Sequence, residues 1–444
     1  MQRWMTWILV LLACSAPVGD AIAVVDGSYD ATFGTGGRKL IDIPASTNDK
    51  GRILRIQPGG NLLMAGTCGT GMFYFCITRR SPTGDVDLSF GPDGTGFMTF
   101  DRFFGPGSPA SDSLVDMLSL SDGRILLLGT GTLAMLTADG VELDTTIAGG
   151  TGFIPVSPTA GKFALAEQPD HKILIAGYGF RNDPGAHFDM SVQRFKPDMS
   201  PDSDFGSNGS QNIPFNMGAS VSLANSIALQ ANGNIVLAGY VTLDGETQKS
   251  AGVGSLLPSG QPDPAFGGGQ PVYIRPSIED SALSVRVDRK GRIVYSGYAG
   301  ADTSFGTRKC LINRLLANGT QDFYFNANQP LKFFVPVGAN SVGCQLSDVQ
   351  TQADGTVLAV GSLVDFYFTA VRLTPAGTFD STFGTAGISY GYFDATASAS
   401  VVRSGAMAIG NGLMIGGTSL NTDNEFGIAQ LKLTLHVFAD GFEN

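Results

Sequence analysis

Asp202-Ser203-Asp204-Phe205-Gly206 and, downstream of it, Gly233-Asn234-Ile235-Val236-Leu237-Ala238-Gly239 are the two stretches on which the fold of this 444-residue chain turns. The first has turn chemistry: Asp side chains bond nearby backbone amides, and Gly supplies positive φ. The second is a tight turn feeding a strand that is apolar at every position, so both of its faces must be covered. Both stretches recur. Asp-x-x-Phe-Gly begins at Asp30, Asp87, Asp202, Asp263 and Asp380, with degraded copies Asp144-Thr-Thr-Ile147-Ala148 and Asp322-Phe-Tyr-Phe325-Asn326. The fourth residues are Phe33, Phe90, Ile147, Phe205, Phe266, Phe325 and Phe383, separated by 57, 57, 58, 61, 59 and 58 positions. The second signature opens at Gly60, Gly123, His171, Gly233, Gly291, Gly355 and Asn411. Asn tolerates the left-handed conformation that Gly takes there, and His171 reads as a turn residue rather than a catalytic one.

Each unit reads as four strands, in the fourth unit 211–215, 222–229, 234–238 and 252–257. The expectation is an all-β, seven-bladed β-propeller of four-stranded antiparallel blades, about 58 residues per repeat. Its units run 27–83, 84–139, 140–199, 200–259, 260–318, 319–376 and 377–434, within a propeller spanning 24–434. A short tail, 435–444, follows. Coils of a parallel β-helix are much shorter than this period, and separate β-sandwich domains need about 100 residues each.

Composition agrees. Sixty glycines and only 15% charged residues argue against long surface helices, and 43% hydrophobic content excludes a disordered chain. A net charge of -11 repels nucleic acid and anionic membrane. Arg3, the apolar run 4–13 and Ala21-Ile22-Ala23 have the layout of a signal peptide over 1–23, which places the mature chain outside the cytoplasm, secreted or periplasmic. Leu11-Leu12-Ala13-Cys14 offers the alternative of a lipid anchor through Cys14. No later stretch is long and apolar enough to span a bilayer. The four remaining cysteines, Cys68, Cys76, Cys310 and Cys344, permit two bridges in three connectivities. Cys68 with Cys76 and Cys310 with Cys344 is the sequence-local choice, and buried free thiols are the alternative.

The Asp-x-x-Phe-Gly turns, the Gly-x-Ile-Leu-x-Ala-Gly strands and unit ends such as Arg372-Leu373 before Pro375-Ala-Gly377 resemble the delta-60 repeat, a bacterial extracellular β-propeller-like repeat. The resemblance covers roughly residues 26 to 434. It implies fold and location and brings no catalytic residues.

Repeat compared with repeat separates fixed from adjustable segments. The spacing from the Arg position (Arg79, Arg194, Arg314, Arg372, with Ser255 in its place once) to the following Phe is 11 in five copies, whereas that from the second signature's closing Gly to the Arg position ranges from 6 to 17. Adjustable loops carried by a rigid frame are where contacts to partners are expected. They hold Phe103, Phe104, Phe180, Tyr240, Tyr298, Phe366 and Tyr367, with aromatic plugs over the core as the alternative role. The repeated Asp30, Asp87, Asp202, Asp263, Asp322 and Asp380 suit a turn cap or a partner for the Arg eight residues earlier, since a structural group is needed in every unit. Asp202-Ser-Asp204 with Asn208, and the run Asn421-Thr-Asp423-Asn-Glu425, have oxygen-ligand density but do not match the twelve-position calcium loop. No metal site is expected, with Ca²⁺ the one cofactor left open. There is no Gly-x-Ser-x-Gly, His-Glu-x-x-His or phosphate loop, and histidine is limited to His171, His187 and His436. The reading is a monomeric secreted or surface-associated binding scaffold for an extracellular protein or glycan, without nucleic acid. The alternative is a hydrolase or lyase using carboxylates in the propeller channel.

Overall fold

The computed structural model describes residues 26–433 except 45, 71–73, 101–113, 157–160, 182–186, 216–218, 244, 276, 303, 365–366, 395, 397–398, 408–411 and 421–423. The expected signal peptide, Cys14 and the tail 435–444 lie outside the described residues. Among the described residues the chain is all-β: thirty strands and three short 3-10 turns, with no α-helix.

Apart from a two-strand hairpin, Val335–Val337 with Asn340–Val342, the ladders fall into antiparallel runs of four strands. The first comprises Lys50–Ile56, Leu62–Cys68, Tyr74–Arg80 and Phe97–Phe100, and the second Leu114–Ser119, Ile125–Gly129, Thr132–Leu136 and Phe153–Pro155. The third comprises Lys162–Glu167, Ile173–Arg181, His187–Phe195 and Ser210–Ile213, and the fourth Ala219–Leu229, Ile235–Leu243, Lys249–Leu256 and Val272–Ile274. Next come Glu279–Val287, Ile293–Gly300, Lys309–Leu315 and Leu331–Phe333, and then Cys344–Thr351, Val357–Leu363, Phe368–Leu373 and Ile388–Gly391. The last run is Ala399–Met407, Gly412–Leu420 and Asn424–Lys432, completed by Arg38–Ile41 from the start of the chain. Single parallel bridges, Phe188 to Val221 and Lys249 to Glu279, join the third, fourth and fifth runs into one twelve-strand sheet.

The sheets are offset from the sequence repeat by one strand. The first strand expected in the fourth unit, 211–215, pairs not with its own unit but with Met190–Gln193 of the preceding run. The cause is the Asp-x-x-Phe-Gly segment itself. It is the return between third and fourth strands, so the repeat begins inside a hairpin rather than between sheets.

The continuously apolar strands are the second in each run, and Ile235, Val236, Leu237 and Ala238 are all fully buried. Seven buried clusters fill the spaces between consecutive runs, and each contains one of the seven residues found at the 57–61 spacing. Phe90 lies with Leu63 and Leu127, Ile147 with Leu126 and Ile175, Phe205 with Leu174 and Leu237, and Phe266 with Val236 and Tyr295. Phe325 lies with Val294 and Ala359, and Phe383 with Leu358 and Ile415. Phe33 completes the series with Leu54 and Met64 of the first run and Met414 and Phe426 of the last. Each buried phenyl contributes roughly 1.5–3 kcal/mol.

Candidate functional site

The repeated carboxylates are built into turns. In all seven copies the Asp Oδ1 accepts the amide of the residue two positions on, at 2.9–3.3 Å, from Thr32 N to Asp30 through Thr382 N to Asp380. The other oxygen meets the Arg eight residues earlier: Arg79 to Asp87 at 2.6 Å, Arg194 to Asp202 at 2.8 Å, Arg314 to Asp322 at 2.7 Å and Arg372 to Asp380 at 2.8 Å. The guanidinium then covers the Phe ring of the same motif, with Arg194 4.6 Å from the Phe205 centroid and Arg314 4.7 Å from Phe325. Burial works against ionisation of Asp202, but the Arg194 charge and the Asp204 amide outweigh it and hold the carboxyl below its usual range. These carboxylates are committed to structure. Among the described residues no group of three His, Cys, Asp or Glu side chains is placed to hold a metal ion.

The turns between first and second strands and those between third and fourth strands share one edge of the sheets, because neighbouring strands alternate direction. This edge is regular. Gly60, Gly123, His171, Gly233, Gly291 and Gly355 each donate an amide at 2.8–2.9 Å to the carbonyl three residues back. His171 takes φ +62°, the left-handed turn conformation. Its Nδ1 lies 3.0 Å from both Glu167 Oε1 and Ser121 Oγ, and that hydroxyl donates to the same carboxylate oxygen at 2.6 Å. The three side chains form one hydrogen-bonded cluster on the exposed turn surface.

The opposite edge carries the adjustable loops. Phe103, Phe104 and Phe366 lie outside the described residues. The others fall in two groups. Tyr240 and Tyr298 belong with Tyr178: in three successive runs each directly follows the second signature's closing Gly, and all three lie within the second strands rather than in the expected loops, because the ladders run on past that Gly; Tyr298 is buried. Burial raises the Tyr240 hydroxyl above its ordinary value, Lys249 opposes the rise, and Tyr298, Glu279 and Tyr178 add to it. Lys249 lies 5.1 Å from the Tyr240 ring centroid, and Arg308 stands 4.0 Å from that of Tyr298. Phe180 (49% exposed) and Phe188 (36% exposed) meet edge to face at 5.7 Å, and Phe188 meets Tyr178 at 5.2 Å. Tyr367 stacks apart from these, against Tyr390 at 5.6 Å and Tyr392 at 4.5 Å. Tyr178 and Phe188 fall in the adjustable segment 178–189 but are not among the seven aromatics named from sequence, although the repeated Gly-Tyr at 177–178, 239–240 and 297–298 was there to find.

A cavity of about 590 Å³, open to solvent, is lined by the first strands of six runs, from Arg52 to Asp348. Those strands are therefore the innermost. Each of them carries a β-bulge, and in three the bulged residue bonds the next run: Arg52 Nη1 donates to Leu114 O at 2.9 Å, Asn225 Nδ2 to Ala282 O at 2.8 Å and Ser347 Oγ to Val402 O at 3.2 Å. Two ion pairs repeat one register. Arg55 meets Asp116 at 2.7 Å and Arg286 meets Asp348 at 3.0 Å. Asp116 also accepts the amides of Met117 and Leu165, and burial raises its pKa against these partners.

Cys68 is joined to Cys76 and Cys310 to Cys344, with Cα separations of 6.0 and 5.0 Å. Two exposed aromatics stand on the regular edge, Phe323 and Tyr324 (70% and 80% exposed), in the one Asp-x-x-Phe copy with aromatics at both central positions.

A family model described as a β-propeller domain of unknown function (DUF5122) matches residues 352–383. That stretch holds one copy of the apolar strand, the Arg372-Leu373 end and the Asp380-x-x-Phe383 turn. No curated protein matches the chain. Among solved structures, a Bacteroides caccae protein of unknown function is 12% identical over 75% of this chain and 99% of its own, with a TM-score of 0.36. Drosophila Plexin A, solved in complex with Semaphorin 1b, is 9% identical over 92% of this chain and 88% of its own (TM-score 0.43). PorZ, a surface component of the type-IX secretion system of Porphyromonas gingivalis, is 10% identical over 84% of this chain and 46% of its own (TM-score 0.42). Among the described residues no helix is long and apolar enough to cross a membrane.

Proposed function

We propose that this chain is an exported, closed seven-bladed propeller of the delta-60 kind that acts as a binding module, engaging an extracellular protein or glycan with its adjustable-loop face. The observation that carries the reading is the exposed pair Phe180 and Phe188 with Tyr178 in contact and the half-buried Tyr240 of the next run, on the edge where loop length varies; Tyr298 is buried. Aromatic rings give large contact area at little conformational cost, and Lys249 and Arg308 add cations. Closure of the ring is supported by the junction cluster between the last and first runs and by the Arg38–Ile41 ladder. Export is supported by the signal-like layout of residues 1–23. Hydrolysis through channel carboxylates is the weaker reading, because Asp116 and Asp348 each take three hydrogen bonds within the wall, one of them from Arg.

The test is a glycan array and a panel of purified cell-envelope polymers and surface proteins, probed with residues 24–444, alongside hydrolase assays on the same polymers. The expected result is saturable binding that falls at least about tenfold in Phe180→Ser and Tyr240→Ala, with an unchanged melting temperature. Absence of binding across the panel, or binding indifferent to both variants, overturns the proposal.

A further inference from the structure

The geometry points to a second binding site, independent of the loop face: we infer that the cavity among the innermost strands takes a neutral, polyhydroxylated ligand of the sugar or cyclitol class. Its lining occupies the halves of those strands that run toward the regular turns, from the bulges at Arg52, Val115, Phe163, Asn225, Leu283 and Ser347 onward. The Arg55 and Arg286 side chains keep 28% and 31% exposure, so the space is in contact with solvent. At about 590 Å³ it falls within the size range of small-ligand sites.

The chemistry of the wall selects the class. Among the described residues that line it, three guanidinium groups, Arg52, Arg55 and Arg286, face three carboxylates, Asp116, Glu167 and Asp348, so these charges balance. A hydroxyl both donates and accepts, and it is satisfied where planar donors and acceptors stand side by side. The ion pairs provide this juxtaposition twice. Each guanidinium is fixed at a second point: Arg55 Nη1 donates to Leu54 O at 3.0 Å and Arg286 Nη1 to Val285 O at 2.8 Å, so both planes are set before a ligand arrives. Asn225 spends its amide donor on the wall and keeps Oδ1 as an acceptor. Phe163 and Leu283 supply apolar surface for the C–H face of a ring.

The test uses the whole mature chain with methyl glucoside, maltose, cellobiose and myo-inositol, and with citrate and spermidine as charged controls, by saturation-transfer NMR and calorimetry. At least one neutral ligand should saturate. Leu283→Trp, which places a larger apolar side chain on the cavity wall, and Asn225→Leu should each weaken it at least about tenfold. Tyr240→Ala should leave it unchanged, which separates this site from the loop face. Thermal melting distinguishes occlusion from misfolding, and the two variants fail independently. No saturation by any neutral ligand, stronger binding of citrate or spermidine, or wild-type binding by a folded Leu283→Trp protein overturns the inference.

Discussion

Arg372 donates from Nη1 to the carboxylate of Asp26 at 2.5 Å across 346 positions of sequence, while its Nε stands 2.8 Å from Asp380. The same contact region brings Gly384 N to Asp26 O at 2.7 Å and lays the Phe383 ring so closely on Gly27 that a Cβ there would sit 3.0 Å from the ring. Gly27 thus does for Phe383 what Gly84, Gly260 and Gly377 do for Phe33, Phe205 and Phe325. The start of the described chain supplies the turn that the sixth junction would otherwise lack.

Removing that link should be costly. Asp26→Ala leaves a fully buried guanidinium with one carboxylate in place of two, and a loss of about 2–3 kcal/mol is expected in urea unfolding. The m-value should hold if the fold still melts as one unit.

The junction phenylalanines should be interchangeable in cost. Phe90→Ala, Phe205→Ala and Phe325→Ala are each expected to destabilise by about 3–5 kcal/mol, and Phe205→Leu by much less. Gly260→Ala should match the larger losses, since φ is +88° and the added Cβ would lie 2.7 Å from Gly206 N.

Stability should respond to pH at two buried carboxyl groups in opposite directions. Burial pushes Asp280 up to about 7, although the Ser277 amide opposes the rise. A raised folded pKa means its contribution is present below the unfolded value near 4 and is lost as pH climbs through 7. The melting temperature of Asp280→Asn relative to wild type should therefore rise between pH 5 and pH 8. Asp202, held low, contributes above the unfolded value and loses that contribution as pH falls below it, so Asp202→Asn should cost most at neutral pH.

The two cysteine pairs close short loops, with separations of 8 and 34 residues. Alkylation of the denatured, unreduced mature chain should label none of the four thiols. Reduction should lower stability by about 2–4 kcal/mol per bridge.

Much of the fold is legible in the sequence because the same physical demand recurs in every unit. A turn that needs Asp, Gly and a plugging Phe writes the same letters each time, as at 202–206, and a strand covered on both faces reads as Ile235-Val-Leu-Ala238. The sheet offset was hidden because the punctuation marks the hairpin, not the sheet boundary. The candidate sites were less legible. Tyr178 and Phe188 become neighbours only through strand pairing, and Arg55 meets Asp116 across a junction 61 residues long. Sequence spacing alone carries neither contact.

Ring closure is tested most directly by amide hydrogen exchange at Arg38–Ile41 in the mature protein. These amides should be as protected as those of Asn424–Lys432, with which they pair, and both strands should lose protection together in Asp26→Ala. Exchange of Arg38–Ile41 at the rate of a free peptide, while Asn424–Lys432 stays protected, would contradict the closed ring.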